Sequence, residues 1–382
     1  MARGSIKERG ENRYALILEL GNDPLTGKRQ QKWITFHGTK RDAQKKLVEL
    51  VNDANKGQIV APAKITVEDW LKRWHKEHSL NLAATTANRY SLIIQYYLLP
   101  YIGKIKLDKL TPLHISALYG KLRDVEAGNH TNKKLSATTI QHTHSLLHTA
   151  LEAAVKYKLI GDNPARHVEK PRREQKEMQH YSVEEIHKLL SACESNARWY
   201  AFFLLAITTG LRLGEVSALT WEDIDYQKQT ISISKSTSRQ SHIGVVTSGG
   251  KTASSRRIVA ISTVAIAALK QHKAKQNQDR LVCKEWQDND LVFPGSQGQV
   301  INPCIIKKTQ RRYCRRAGIP CIRIHDLRHT AATLALEAGI HPKVVSERLG
   351  HANTSITLNL YSHVSQTMQR QAADVVEAMV NR

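Results

Sequence analysis

A chain of 382 residues, 41% apolar and 24% charged, is too long for one ordinary domain and too apolar to be disordered, so two or three folded domains are expected. With 57 Lys plus Arg against 34 Asp plus Glu, the formal charge is +23 and the pI near 9.8, which points to a polyanionic partner held less tightly as salt rises. No apolar run reaches the length of a bilayer span, residues 1–10 lack a signal-peptide stretch, and the five cysteines form no C-x-x-C pair; a cytoplasmic protein with reduced thiols and no membrane partner is expected.

Residues 1–60 read as a small module of strands and one helix. Residues 14–20 and 31–36 are strand-like, and Gly21-Asn-Asp-Pro-Leu-Thr-Gly27 between them is rich in turn formers, giving a hairpin. Thr39 caps a helix to about Ala54, which Lys56 and Gly57 end. Residues 64–163 read as four helices. The first, residues 66–78, puts Trp70, Leu71 and Trp74 on one face; residues 85–99 and 112–123 follow; a fourth is capped by Ser136 and runs to about Tyr157. Within it, His144 and His148 stand at i, i+4 and read as a satisfied surface pair. Gly161-Asp-Asn-Pro164 stops this module, and residues 164–180 form a linker in which Arg166, Lys170, Arg172, Arg173 and Lys176 are either phosphate contacts or solvated charges.

A third domain, residues 181–382, is expected to be mostly helical with a small sheet. Ser182 and Glu185 make a capping box for a helix to Cys193, residues 199–208 are apolar all round like a buried helix, and residues 230–234 and 257–262 alternate like strands. The fold class is therefore multidomain, mainly α with small β parts. Between Pro303 and Gly318, Lys307, Lys308, Arg311, Arg312, Arg315 and Arg316 form adjacent pairs repeating every four residues, one basic band along a helix. Like charges at that spacing repel unless an anion or solvent relieves them, and a nucleic-acid backbone is the expected partner.

Several patterns nearly fit other chemistry. Thr247-Ser-Gly-Gly-Lys-Thr252 resembles the end of a P-loop, but Val245 stands where its first glycine is required. His325 and His329 have zincin spacing, yet Asp326 replaces the glutamate that follows the first histidine. No carboxylate cluster suits a pair of Mg2+ ions. What remains suits a phosphodiester. His325 and Arg328 share a face of a helix expected to start near Asp326, its N-cap, and Arg212 follows Gly210, where the buried helix ends. Two guanidinium forks can clamp the non-bridging oxygens while a lysine or histidine protonates the leaving oxygen.

Thr208-Thr-Gly-Leu-Arg-Leu-Gly-Glu215, His325-Asp-Leu-Arg-His-Thr330, Leu349-Gly-His351 and Leu360-Tyr-Ser-His363 resemble, in order, the signature boxes of the tyrosine recombinases, specifically the integrases of phages and conjugative transposons, and Tyr361 lies ten residues after His351. Singly, each residue also has a packing role: Tyr361 in an amphipathic helix, Arg212 as ion-pair partner of Glu215, His351 at a helix C-cap, and His325 as a bonded core histidine. The resemblance implies an N-terminal arm-binding module (1–60), a helical core-binding, SAM-like domain (64–163) and a mixed α/β catalytic domain. It assigns Arg212, Lys251, His325, Arg328 and His351 to the phosphate and Tyr361 to attack, with Glu215 buttressing Arg212; Lys251 rests on its place in a loop between two strands, with Lys235 and Arg256 as alternatives. It implies cleavage through a 3'-phosphotyrosyl link with neither metal nor ATP, double-stranded DNA with core and arm sites, a tetramer in the synapse, accessory DNA-bending or excision factors, and a bacterial, nucleoid-associated setting. The tail, with Val375, Val376, Met379 and Val380, would dock on a neighbouring protomer or on its own domain. A type IB topoisomerase and a non-catalytic DNA-binding regulator remain the other readings.

Overall fold

The computed structural model describes residues 3–22, 29–55, 65–124, 134–172, 178–240, 244–249, 256–351, 353, 357–358, 374 and 377–380. The chain divides into two compact units, Met1–Gln175 and Lys176–Arg382.

The first unit opens with an antiparallel sheet of β1 (Arg3–Gly10), β2 (Arg13–Asn22) and β3 (Arg29–His37), in that order, followed by α1 (Lys40–Asn55). Thr39 caps α1 as expected, its hydroxyl accepting from the Asp42 amide. Tyr14 and Leu16 on one face of β2 pack with Ala43 of α1, joined by Ile6, Ile34 and Phe36. The strand β1 escapes the sequence reading because seven of its eight residues are exposed and only Ile6 is half-buried, leaving no alternation to detect.

The helical part comprises α2 (Val67–His78), α3 (Ala84–Ile93), α4 (Leu99–Ile102), α5 (Pro112–Asp124) and α6 (Ala137–Lys156). Thr66 and Asp69 form a reciprocal capping box on α2, and Ser136 caps α6. The stretch expected as one helix over 85–99 is instead α3 and α4 joined by a wide π turn, Ile94–Leu98. Pro100 follows at once; lacking an N–H, it cannot continue the regular ladder. Trp70 donates its indole N–H to the Ala150 carbonyl at 2.9 Å, tying α2 to α6 in the centre of the core. His144 corrects the surface-pair expectation: it is 1% exposed, and its Nδ1 shares a 2.6 Å hydrogen bond with the Tyr119 hydroxyl. Burial, then Lys170, pushes its pKa down to about 4. After α6, Asn163 caps a single 3-10 turn, Pro164–His167. There Arg166 grips Glu152 with Nε and Nη2 at 2.7 and 2.6 Å, so this cation of the expected linker is committed to the helical module. Arg173 and Lys176 lie outside the described residues.

The second unit packs α7 (Val183–Cys193), α8 (Ala197–Thr209), α9 (Leu213–Ala218), α10 (Thr263–Val282), α11 (Pro303–Ala317), α12 (Asp326–Glu337) and α13 (Pro342–Leu349) with a small sheet. The sheet is antiparallel, in the order β4 (Ile224–Asp225), β5 (Thr230–Ile233), β8 (Arg257–Ala260). A separate hairpin, β6 (Lys235–Gln240) and β7 (Gly244–Gly249), was not expected, because its Ser- and Thr-rich strands bury little beyond Thr237. The core centres on α8: Phe202 meets Phe293 edge-to-face at 5.3 Å and Phe203 meets Tyr313 of α11 at 6.2 Å. The Ser182–Glu185 capping box starts α7 as read. Among the described residues, no helix is long and apolar enough to cross a membrane.

Candidate active site

Two helices end in glycines that make the site. Gly210 terminates α8 with φ +64 and Gly350 terminates α13 with φ +66, left-handed conformations that favour glycine. At Gly210 space matters too: a Cβ would press deep into Leu349 of α13 and lie 3.2 Å from the Ala331 methyl of α12. The close approach of α8, α12 and α13 is thus built on the absence of a side chain at Gly210.

Arginines stitch these ends together. Arg328, on the first turn of α12 and 3% exposed, donates Nη1 to the Gly210 carbonyl at 2.9 Å. Arg348 donates to the Thr208 carbonyl at 3.0 Å. In the reverse direction Arg212 donates Nη2 to the Gly350 carbonyl at 2.8 Å. Arg212 precedes α9, and Glu215 on the first turn of that helix accepts both its backbone N–H (2.9 Å) and its Nη1 (2.7 Å). The ion pair and the phosphate role read for Arg212 are therefore compatible, since its side chain stays 38% exposed.

His351 follows Gly350 and is held by a 2.8 Å contact between its Nδ1 and the Thr357 hydroxyl. Burial, then Arg328 and Arg212, pushes its pKa down to about 4, so the ring is neutral near pH 7. His325 caps α12 by its backbone, and Asp326 is the first helical residue. The expected N-cap is thus displaced by one position: the Asp326 carboxylate instead accepts from the backbone and side chain of Arg323 at 3.2 and 2.9 Å, bracing the approach to the helix. The rings of His325 and His329 stand edge-to-face at 5.1 Å. Partial burial, then Arg328, lowers the pKa of His325. Arg328 is itself pushed down to about 9 by burial and then by Arg212, and its Nη2 is buried with no partner among the described residues.

The structure therefore brings Arg212, Glu215, Arg328, His325 and His351 together: Arg212 is bonded to Glu215 and to the Gly350 carbonyl, and the charges of both arginines reach the His325 and His351 rings. Lys251 and Tyr361 lie outside the described residues; Lys235 and Arg256 are exposed. The sequence reading missed Arg257, Arg348 and Thr357. Arg257, first in β8, donates Nη1 and Nη2 to the Glu215 carboxylate at 3.2 and 2.9 Å and Nε to the Arg348 carbonyl at 2.8 Å. Its partners are 42 and 91 positions away, beyond any local pattern; a charged residue at the head of an apolar strand was the available signal. Away from this cluster, all six cations of α11 are exposed while Ile306, Thr309, Gln310, Tyr313 and Cys314 are buried, so the band faces solvent as one stripe.

Convergent guanidinium groups beside neutral imidazoles, carried on a mainly helical fold, are chemistry able to hold an oxyanion. Comparison with known proteins gives the family. The model of the phage integrase family matches residues 180–368, and that of the phage integrase N-terminal SAM-like domain matches residues 66–123. A XerC-like tyrosine recombinase of Caldanaerobacter subterraneus subsp. tengcongensis is 30% identical, covering 97% of this chain and 96% of its own. The ICEBs1 integrase of Bacillus subtilis is 23% identical over 98% of this chain and 100% of its own. In fold, the Tn1549 transposon integrase in complex with a circular intermediate DNA superposes with a TM-score of 0.69 at 18% identity, covering 82% of this chain and all of that one. A lambda integrase dimer bound to a core site gives 0.56 at 18% identity, covering 93% of each. The chain belongs to the phage integrase family of tyrosine recombinases. It is a tyrosine-type site-specific recombinase acting in DNA integration and excision.

Proposed function

We propose that Arg212, Arg328, His325 and His351 hold the scissile phosphate of double-stranded DNA while Tyr361 attacks it. The observation that carries this reading is the buried Nη2 of Arg328, without a partner among the described residues, beside the half-exposed Arg212. A buried donor left unmade is costly, and a non-bridging phosphate oxygen is the acceptor that would satisfy it. The phenolic oxygen of Tyr361 forms a bond to phosphorus, the bond to the 5'-oxygen breaks, and the DNA is left as a 3'-phosphotyrosyl ester. His325, neutral near pH 7, takes the phenolic proton; the Lys251 ammonium gives one to the departing 5'-oxygen. In the tautomer whose Nδ1 accepts from the Thr357 hydroxyl, His351 presents an Nε2–H to the phosphate. The ester keeps the energy of the broken bond, so a 5'-hydroxyl from a second duplex reverses the step and completes the exchange without ATP.

Residues 1–60 are assigned to arm DNA, 64–163 to core DNA, 164–180 to the linker and 181–382 to catalysis. The sheet face turned away from α1 carries Arg3, Lys7, Arg9 and Arg13, with the Arg9 guanidinium 5.6 Å over the half-exposed Trp33 ring, a basic surface with an aromatic suited to a DNA groove. Lys307, Lys308, Arg311, Arg312, Arg315 and Arg316 supply backbone contacts from α11. Strand exchange needs protomers paired on DNA, and a lambda integrase structure is a tetramer on a Holliday junction, which supports a tetrameric synapse here; accessory bending or excision factors and a nucleoid setting are part of the same proposal. In the tail, Met379 and Val380 are exposed in the single chain, as a segment that docks on a neighbour requires. Incubating the protein with a nicked suicide substrate tests the central claim: a covalent protein–DNA adduct is expected from the wild type and none from Tyr361→Phe. An adduct formed by the variant removes Tyr361 as nucleophile.

A further inference from the structure

We propose that Arg257 is a positioning residue for strand cleavage: it sets Arg212 through Glu215, and the segment bearing His351 through the Arg348 carbonyl, without touching DNA. The proposal rests on the phosphate-site reading above. Its geometric basis is a closed ring of hydrogen bonds. Arg257 donates to both oxygens of Glu215; Glu215 accepts from Arg212; Arg212 donates to the Gly350 carbonyl; and two residues back along α13 the Arg348 carbonyl accepts from Arg257 Nε. The side chain of Arg257 is 8% exposed and that of Glu215 is 4% exposed, so neither is placed to meet a ligand. Arg212 is the member of the ring that reaches solvent.

Each link has a directional consequence. A carboxylate shared by two guanidinium groups has all its lone-pair directions fixed, so the Arg212 fork is held in plane. If Arg257 is removed, Glu215 keeps one partner and regains freedom to rotate, and Arg212 rotates with it. At the same time the Arg348 carbonyl loses its donor, loosening the turn in which the His351 N–H bonds the Ser346 carbonyl at 3.0 Å. Two phosphate ligands on different elements then lose their mutual register, although neither has been altered. The exposed cations of α11 stay as they were, so DNA affinity should survive. Protonation gives a second consequence. Burial alone would raise the pKa of Glu215, and the hydrogen bonds and charge of Arg257, with help from Arg212, more than offset it. Glu215 is faced by Arg212 just before its own helix, Arg257 from β8 and Arg328 from α12. Without Arg257, the buried carboxylate takes up a proton closer to neutrality.

Single-turnover cleavage of a nicked suicide substrate at saturating full-length protein tests this, with DNA affinity from mobility shifts and melting measured on the same samples. Arg257→Gln should cleave roughly 10- to 100-fold more slowly, the loss expected for small misplacements of reacting groups, with affinity nearly unchanged. Arg257→Lys keeps the charge, but one ammonium cannot span both Glu215 and the Arg348 carbonyl, so its rate should fall between the two; it also serves if the Gln variant folds poorly. Arg257→Gln should show a rate that drops as pH is lowered from 7 to 5, where the wild type is flatter. Combined with Glu215→Gln, it should be little slower than the slower single variant. Unchanged cleavage, a loss residing wholly in DNA affinity, or fully additive losses in the double variant would each overturn the proposal. Wild-type protein and Tyr361→Phe run in parallel separate the failures: no adduct from the wild type defeats the phosphate-site reading and this proposal with it, whereas a normal adduct with normally active Arg257 variants defeats this one alone.

Discussion

Replacing Gly210 by alanine perturbs backbone conformation and helix packing at one point. A non-glycine residue in the left-handed region costs about 1–2 kcal/mol. The new methyl must also find room against Leu349, which is 2% exposed and packed with Ala332, Leu336 and Val345, so it cannot swing into solvent. Overpacking of this kind adds about 1–3 kcal/mol, giving roughly 2–5 kcal/mol in all. For a unit of this size each kcal/mol lowers Tm by about 2–4 °C, so a fall of roughly 4–20 °C in the transition of the second unit is expected. Gly249→Ala is the control: nothing among the described residues lies within 4 Å of a Cβ there, and its change should stay within about 0.5 kcal/mol. Because Arg328 is anchored on the Gly210 carbonyl, cleavage should fall as well, even well below the new melting temperature. Melting by circular dichroism and cleavage of the nicked substrate read the two effects. If Gly210→Ala melts within a degree or so of the wild type, the close approach of α8 to α13 does not depend on this glycine.

Changing Arg311 and Arg315 to Gln should lower the slope of log affinity against log salt by about 2, near 0.9 for each lost phosphate contact, while melting holds; an unchanged slope would remove α11 from the interface. Acid should destabilise both units through buried histidines. His144 and His272 have pKa values pushed down to about 4, against about 6.5 unfolded, so the unfolded chain binds the proton first. Each contribution is complete above pH 6.5 and is lost as pH falls toward 4: about 2 kcal/mol by pH 5 and about 3 by pH 4. Urea midpoints at pH 7 and 5 measure it, and constant stability across that range would contradict the burial argument. Deleting residues 366–382 should leave cleavage of a single core site intact but impair synapse formation seen in native gels; unimpaired synapsis would place the tail on its own domain.

Legibility in the sequence followed the range of the interaction. The cap at Thr39 and the capping box at Ser182 are local, and both helices start where those residues say. The apolar α8 and the basic band of α11 were likewise visible, because helical periodicity sorts a face within a few turns. The hairpin of β6 and β7 is polar, and β1 buries half of one side chain, so neither carries the alternation that marks a strand. For the site, spacing put His325 and Arg328 on one helix face and Arg212 just past Gly210, and the resemblance added His351, yet neither could show that Arg212 reaches the carbonyl of Gly350 or that His144, far from the site, is buried against Tyr119. Those contacts are set by which helix ends meet, a property of the folded core. Arg257 is the clearest case: its role is defined by Glu215 and Arg348, which only the tertiary fold brings to β8.

The convergence of the C-termini of α8 and α13 also bears on charge. A helix C-terminus carries about half a negative charge, so two of them contribute roughly −1. Four arginines, one glutamate and two such ends leave a field near +2 from the described groups, less than the number of guanidinium heads suggests. A phosphodiester bears one negative charge at rest and gains a second as a phenolate attacks it. If the proposed phosphate site is right, the backbone ends that fix the arginines trim their field toward the dianionic, fleeting arrangement, and a site so balanced would favour DNA caught in exchange over DNA merely bound.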